Sequence, residues 1–200
     1  DETILDVLRY AIEGIDPRLK VRPRGRSRFG YVVSGGRRGG KENALMTLVR
    51  RWNIDHPAHE KRIPPRMFRS SNDIVALVLR GLFSTDGSVY DDKVEFCSTS
   101  PGLARDVQNA LLRFGIHAIV RQRPSHYTID GARHKAKDSH RLLILGKDGL
   151  AFASYVGFGG RKTAALVRAA GIAARALDRV ADGDEVALDR IRGISEGTGY

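Results

Sequence analysis

Cysteine is almost absent from this chain of 200 residues, acidic residues are few, and long apolar runs are missing. The single cysteine, Cys97, excludes a disulfide framework within the chain and a zinc site built from several cysteines. No stretch is apolar and long enough to cross a bilayer, and none resembles a secretory signal. These absences predict a soluble, intracellular protein of the cytoplasm.

The shortage of acids leaves a formal net charge of +11, from 34 Lys and Arg against 23 Asp and Glu. Residues 18–70 carry fifteen basic residues and three acidic ones, and residues 113–147 carry eight and two. The basic residues alternate with Val, Tyr and Phe at strand spacing instead of following one face of an apolar helix. This spacing favours a nucleic acid over a membrane surface as the partner. A basic surface that serves only solubility is the alternative.

The pattern from Asp73 to Thr85 predicts a helix that is apolar almost all round, so we expect other elements to cover it on several sides. It ends at Asp86, where a carboxylate meets the negative end of the helix dipole and an apolar neighbourhood that would desolvate it. A bound divalent cation would offset both effects, because carboxylate and carbonyl oxygens are ligands that suit Mg²⁺. The alternative is a tight turn in which Asp86 accepts a backbone hydrogen bond and Gly87 takes a positive φ.

Helical and strand patterns alternate along the chain and predict an α+β fold. An antiparallel sheet of this kind packs one face on helices and leaves the other free. The predicted elements are, in order, a helix over 3–13, a basic strand pair within 18–34, a helix over 41–53, the helix over 73–85, a strand over 88–99, a helix beginning at Ser100-Pro101, strands over 116–127 and 139–145, a helix capped by Asp148, and a helix over 162–177.

A basic, twisted sheet with a free face can lie in the major groove of DNA, where arginine pairs with guanine edges and phosphates. A metal-binding carboxylate at the edge of such a surface indicates phosphodiester hydrolysis. Cys97 lies within a strand and is expected to be a core thiol. The candidate DNA-binding residues are Arg22, Arg24, Arg26, Arg28, Ser88, Tyr90, Lys93, Arg121, Arg123, Tyr127 and Arg141.

One nonapeptide, Leu79-Arg80-Gly81-Leu82-Phe83-Ser84-Thr85-Asp86-Gly87, resembles the LAGLIDADG motif of homing endonucleases in the form found in inteins. Flanking blocks extend the resemblance over about residues 1–170; they are Glu60-Lys61-Arg62-Ile63-Pro64, Ser98-Thr99-Ser100-Pro101, Leu111-Leu112-Arg113-Phe114-Gly115-Ile116 and Tyr155-Val156-Gly157-Phe158 with Arg161-Lys162. The Leu-Phe-Ser-Thr-Asp-Gly sequence further resembles that of inteins inserted in replicative DNA helicases.

The resemblance implies a site-specific endonuclease that uses Mg²⁺ to cut both strands of duplex DNA. It implies αββαββα half-repeats with a saddle-shaped antiparallel sheet, in which two motif helices pack together and each supplies one acid. It also implies that Asp86 and the carbonyl of Gly87 bind the metal, and that Lys61 and Lys162 act on solvent or on the scissile phosphate. The alternative for both lysines is an ordinary surface position.

The chain departs from the family pattern at both ends. We expect residues 1–70 to be a remnant of a first half that lacks its motif helix, residues 71–177 a complete second half, and residues 178–200 the start of an intein splicing segment or a tail. Because residue 1 is Asp and a His-Asn ending is absent, we expect no protein splicing by these residues.

With one motif helix in the chain, two copies could pair as a homodimer through residues 73–85. The remaining functional alternatives are a DNA-binding module that has lost cleavage and an inert intein insertion.

Overall fold

A computed structural model describes residues 2–25, 30–35, 43–91 and 93–182 of the chain. Two short 3₁₀ helices, Ala58–Glu60 and Pro65–Arg69, lead into the central helix. The other elements are α1 (Glu2–Ile15), β1 (Leu19–Pro23), β2 (Tyr31–Gly35), α2 (Ala44–Arg51), α3 (Asn72–Asp86), β3 (Gly87–Tyr90), β4 (Lys93–Ser98), α4 (Pro101–Leu112), β5 (Ile119–Arg123), β6 (His126–Ile129), β7 (Ala132–Lys135), β8 (Ser139–Ile144), α5 (Gly146–Tyr155) and α6 (Lys162–Asp182).

Four strands form an antiparallel sheet in the order β3-β4-β8-β5, and helices α3, α4 and α5 pack on one of its faces. From α3 onward the chain gives one helix, two sheet strands, a second helix, two sheet strands and a third helix. The predicted α+β class and αββαββα order are therefore confirmed. The pairs β1-β2 and β6-β7 form separate two-stranded sheets. None of the described helices is both long and apolar enough to cross a membrane.

Aromatic rings hold α3 against the sheet. Phe83 of α3 lies 5.3 Å from Phe96 of β4 and 4.6 Å from Phe152 of α5, measured between ring centroids. The ring of Phe158 meets Phe83 edge-on at 6.1 Å. Tilted and edge-on aromatic pairs add about 0.5–1.5 kcal/mol each beyond the burial of their area. This packing fixes the end of α3 relative to the strands that follow it.

The segment that precedes α3 is anchored to α4 through a buried carboxylate. Asp106 of α4 accepts hydrogen bonds from Nε and Nη2 of Arg62, both at 2.7 Å, and from the backbone N–H of Ile63 at 2.9 Å. Gly102 makes room for this guanidinium, because a Cβ there would lie 2.4 Å from Cδ of Arg62. The hydroxyl of Ser100 donates to the carbonyl of residue 61 at 2.7 Å. These contacts hold residues 61–63 in one place on the helical layer.

Three local predictions are wrong in detail. The stretch 88–99 is a hairpin, β3 and β4, that turns at Asp91 with φ of 51°. The stretch 116–127 divides into β5 and β6, and the loop expected after it contains the β6-β7 hairpin. Asp148 does not cap α5, which begins at Gly146; its carboxylate accepts instead from the backbone N–H of His117 at 2.9 Å.

One side of α3 is left uncovered by the described residues, whereas Val75, Leu79 and Phe83 on its other sides are buried as expected. Ile74 is 44% exposed and Leu77 is 58% exposed. A Cβ added at Gly81, one further turn along the same stripe, would meet nothing within 4 Å. The helix is apolar all round because its other sides pack in the core, while the described residues leave this stripe uncovered.

Candidate nucleic-acid interface

The chain passes directly from the C-terminus of α3 into the edge strand β3. Asp86 is the last residue of α3, and Gly87 follows as both the C-cap and the first residue of β3. Gly87 has φ of −93°, so the alternative of a positive φ at this position is wrong. The position instead requires a close approach, because a Cβ would lie 2.5 Å from the carbonyl oxygen of Phe83.

Asp86 is exposed, which contradicts the expectation that an apolar neighbourhood desolvates it. Its carboxylate lies at the end of the helix whose outer stripe is uncovered in the described chain. Apolar neighbours in sequence point into the core on the other sides of α3 and do not enclose this side chain.

Lys162 occupies the carbonyl end of α3. Its Nζ donates to the carbonyls of Ser84 at 2.7 Å, Thr85 at 3.2 Å and Gly87 at 2.7 Å. Burial lowers the pKa of Lys162 below its usual value, and the nearby carboxylate of Asp86 opposes that shift. A cation at this place satisfies the terminal carbonyls and the negative end of the helix dipole. The structure therefore brings together Asp86, Gly87 and Lys162 of the residues singled out for catalysis.

Two polar residues within the apolar motif fasten the segment that carries Lys162. The hydroxyl of Ser84 donates to the carbonyl of Arg80 at 2.6 Å and accepts from the N–H of Gly159 at 2.7 Å. Nε of Arg80 donates to the carbonyl of Val156 at 2.6 Å. Sequence reasoning gave these two residues no role, although Ser84 is a polar residue on the buried side of a helix, which signals a required partner.

The oxygens at the end of α3 fit one half of a divalent-metal site. The carboxylate of Asp86 and the carbonyl of Gly87 are hard donors that suit Mg²⁺, although Lys162 already donates to that carbonyl. Within the described ranges no three His, Cys, Asp or Glu side chains form a group that could hold a metal.

The free face of the sheet, hereafter the open face, gathers most of the predicted DNA-binding residues. Val94 and Phe96 of β4 point into the core, so the side chains between them point to the open face. The strand register places Arg121 of β5 opposite Arg141 of β8. The open face bears Ser88, Tyr90, Lys93, Arg121, Arg123 and Arg141.

All of these side chains except Ser88 line an open cavity of about 360 Å³. The remaining lining residues are Glu95, Leu143 and Leu145. Because β3 begins immediately after Asp86, the acid lies at the edge of this basic face.

The other predicted DNA-binding residues lie apart from the open face. Arg22 is exposed on β1 and Arg24 follows that strand, whereas Arg26 and Arg28 lie outside the described residues. Tyr127 is on the β6-β7 hairpin, where its ring stacks on His134 with centroids 5.3 Å apart.

The structure does not bring Lys61 to the acid. Lys61 lines an apolar cavity of about 460 Å³ whose other walls include Trp52 and Leu82 of α3. Neither a hydrogen bond nor an ion pair joins Lys61 to Asp86 or Lys162 in the described part of the chain. Any catalytic role of Lys61 stays a prediction.

Two residues on the open face differ from the sequence analysis, which gave Glu95 no role and placed Cys97 in the core. Glu95 is buried among the basic groups there. Cys97, expected in the core, is half-buried on the open face opposite Arg141 in the strand register. The alternation of side chains along a strand was the signal that could have placed both residues. If Val94 and Phe96 are core residues, positions 95 and 97 must lie on the opposite face.

An acid-tipped apolar helix that enters an antiparallel sheet, in αββαββα order, defines an α+β domain of the LAGLIDADG type. Residues 73–157 match the family model described as LAGLIDADG-like domain.

Curated relatives match the chain through segments that range from 77 to 148 residues. The ATP-dependent DNA helicase Hel308 of Methanocaldococcus jannaschii is 36% identical over 77 residues. That segment covers 36% of this chain and 6% of the helicase. The replicative DNA helicase DnaB of Rhodothermus marinus is 31% identical over 137 residues, or 64% of this chain and 14% of the relative. Protein RecA of Mycobacterium tuberculosis is 34% identical over 148 residues, which cover 66% of this chain and 18% of the relative. The chain thus spans less than a fifth of each of these proteins, and the helicase relatives are consistent with an intein in a helicase host.

Proposed function

We propose that residues 71–177 form one half of a metal-dependent homing endonuclease carried by an intein. In this proposal the open face binds duplex DNA, and α3 delivers Asp86 to a cleavage centre at the edge of that face. Residues 1–70 belong to the first half, and residues 178–200 begin the splicing segment or a tail. Acting on DNA, the protein would reside in the cytoplasm with the nucleoid.

The observation that carries the proposal is the place of Asp86 beside both Lys162 and the basic sheet. An exposed carboxylate at the start of β3 is accessible to a phosphate backbone that lies along the open face. The arginines of that face supply the positive charge that attracts such a backbone. Lys162, already held against α3, provides a cation next to the acid.

The intein context is supported by the diversity of the relatives. Helicases, RecA and a glutamine–fructose-6-phosphate aminotransferase share no single activity in their names, yet each matches this chain over 6% to 18% of its length. A segment that recurs inside otherwise different proteins behaves as an insertion. The proposal therefore assigns the endonuclease to the insertion and not to its host.

A second motif helix would complete the centre by packing on the bare stripe of α3. That helix would bring the additional acid which the described residues lack. Asp86, the carbonyl of Gly87 and that acid would hold Mg²⁺, and the ion would supply charge stabilisation at the phosphate and a more acidic water. Lys162, whose ammonium already donates to three carbonyls at the end of α3, contributes its positive charge beside the acid.

Nicking of supercoiled plasmid that carries a randomised insert library tests the proposal. We expect cutting by the chain in Mg²⁺ and none in EDTA. Replacing Asp86→Asn should lower the rate on the order of 10²-fold or more, because a group that stabilises transition-state charge is lost. The matched control is Asp91→Asn, which changes an exposed acid at the turn of the adjacent hairpin. Equal cutting by the wild type and Asp86→Asn would contradict the assignment.

A DNA-binding module without cleavage is the second candidate. The observation that favours it is the engagement of the Gly87 carbonyl by Lys162, together with a single carboxylate at the end of α3. Salt-sensitive binding without metal-dependent cutting would support this candidate. An inert insertion would show neither.

A further inference from the structure

The open face contains one acid among its basic side chains. Glu95 lies on β4, with Ser88 of β3 and Leu143 of β8 as its partners in the strand register. Its side chain is 12% exposed, whereas half of the Arg141 side chain is exposed. The carboxylate therefore lies at the floor of the cavity, and the guanidinium stands at its rim.

One oxygen of this carboxylate is fixed and the other retains acceptor capacity. The hydroxyl of Tyr90 donates to Oε2 of Glu95 at 3.0 Å. Burial, followed by this hydrogen bond, raises the pKa of Tyr90, so the phenol stays protonated as a donor. Oε1 forms an ion pair with Nη1 of Arg141 at 3.7 Å, a separation longer than a hydrogen bond. An incoming donor can therefore reach an acceptor that is already oriented.

A carboxylate on this face weakens attraction for phosphate, so affinity for the DNA backbone does not explain it. Its remaining use toward a duplex is to accept a hydrogen bond from a base. In the major groove the donors are the exocyclic amino groups of cytosine and adenine. A G·C pair presents the two acceptors of guanine beside the amino donor of cytosine. The neighbouring guanidinium and carboxylate of Arg141 and Glu95 complement that order.

We propose that Glu95 and Arg141 together read one G·C base pair of the bound duplex. Glu95 accepts from N4 of cytosine, and Arg141 donates to O6 and N7 of guanine. Tyr90 is a positioning residue that holds the carboxylate. This inference rests on the proposed function, because it requires that the open face binds duplex DNA.

Selection of bound duplexes from a randomised library by the 200-residue chain tests this pairing. We expect the wild type to enrich G·C at one position and Glu95→Gln to lose that enrichment. The loss should lie between about 5-fold and 150-fold, which corresponds to 1–3 kcal/mol. Gln is nearly isosteric with Glu, and its amide matches adenine, so enrichment of A·T at the same position is expected. All other positions should keep their preferences.

Two further variants make the outcome decisive. Arg141→Gln should relax the same base position, whereas Lys93→Gln, on the same strand and face as Glu95, should weaken binding to all sequences alike. Identical preferences in the wild type and Glu95→Gln, or relaxation of different positions by Glu95→Gln and Arg141→Gln, would overturn the inference. A wild type that shows no salt-dependent duplex binding would instead overturn the proposed function.

Discussion

Gly81 and Gly87 belong to the same motif but experience opposite surroundings. A Cβ at Gly87 would lie 2.5 Å from the carbonyl oxygen of Phe83 and 3.0 Å from the ring of Phe158. A Cβ at Gly81 would meet nothing within 4 Å. The fold of this chain requires glycine at position 87 but not at position 81.

Replacing Gly87→Ala should therefore lower the free energy of unfolding by about 1–3 kcal/mol, because the added methyl forces backbone and ring to shift. Gly81→Ala is the matched control and should raise it by about 0.5–1 kcal/mol, since alanine favours the helix. Urea unfolding at low protein concentration measures both. If the Gly87→Ala variant were as stable as Gly81→Ala, the close approach of Gly87 to the carbonyl of Phe83 would be contradicted.

At the scale of single residues the sequence locates the acid but not its surroundings. The nonapeptide places Asp86 at the end of a helix, and the structure agrees. Its exposure could not be predicted, because burial depends on which distant residues cover a surface. The same reason explains Gly87, where the constraint is a contact between β3 and α3 and not a local turn.

At the scale of elements, the bare stripe of α3 is an apolar surface that the described residues leave uncovered. Ile74 and Leu77 expose apolar side chains beside the open space at Gly81, and a glycine lets a second helix backbone approach closely. A cost of roughly 25 cal/mol per Å² of exposed apolar surface favours covering this stripe. We expect a second motif helix there, and in a solution of this chain alone a second copy can take its place.

Sedimentation of the chain at increasing concentration should therefore reveal dimers, and Leu77→Lys should abolish them because a charge would be buried in the contact. The unfolding free energy of the single chain should change by no more than about 0.5 kcal/mol, since position 77 is exposed. Ile129→Lys, at an equally exposed apolar position on the β6-β7 hairpin, should leave association unchanged. A wild type that stays monomeric would contradict this use of the stripe.

The turn sequence of the β6-β7 hairpin could have predicted this element. Asp130-Gly131 joins the two strands, with φ of 49° and 79°, and Ile129 pairs with Ala132. Asp-Gly between strand-forming residues is a strong indicator of a two-residue hairpin, so this element was predictable. The bare stripe of α3 follows from the prediction that a partner motif helix is missing, but an apolar pattern on all sides does not say which side of the helix is left without a cover.

At the scale of the whole molecule, the sheet separates a helical layer from a basic layer. Alternating patterns predicted this arrangement, because strands that follow helices in turn give a sheet with one covered face. The pattern also assigned Cys97 to the core, and that assignment is wrong because its strand has core residues at even positions only. The error is useful, since the only cysteine of the chain lies on the open face.

Alkylation of Cys97 by a maleimide therefore reports directly on the open face. At low salt, duplex DNA should slow the reaction in proportion to the fraction of protein bound, and added salt should restore the rate as phosphate contacts are lost. The matched control combines Cys97→Ser with Arg105→Cys, which moves the thiol to an exposed position on α4, in the helical layer. Its reaction should not respond to DNA. Slowing of the control but not of the wild type would place DNA on the helices, and the assignment of the basic sheet as the binding surface would then fail.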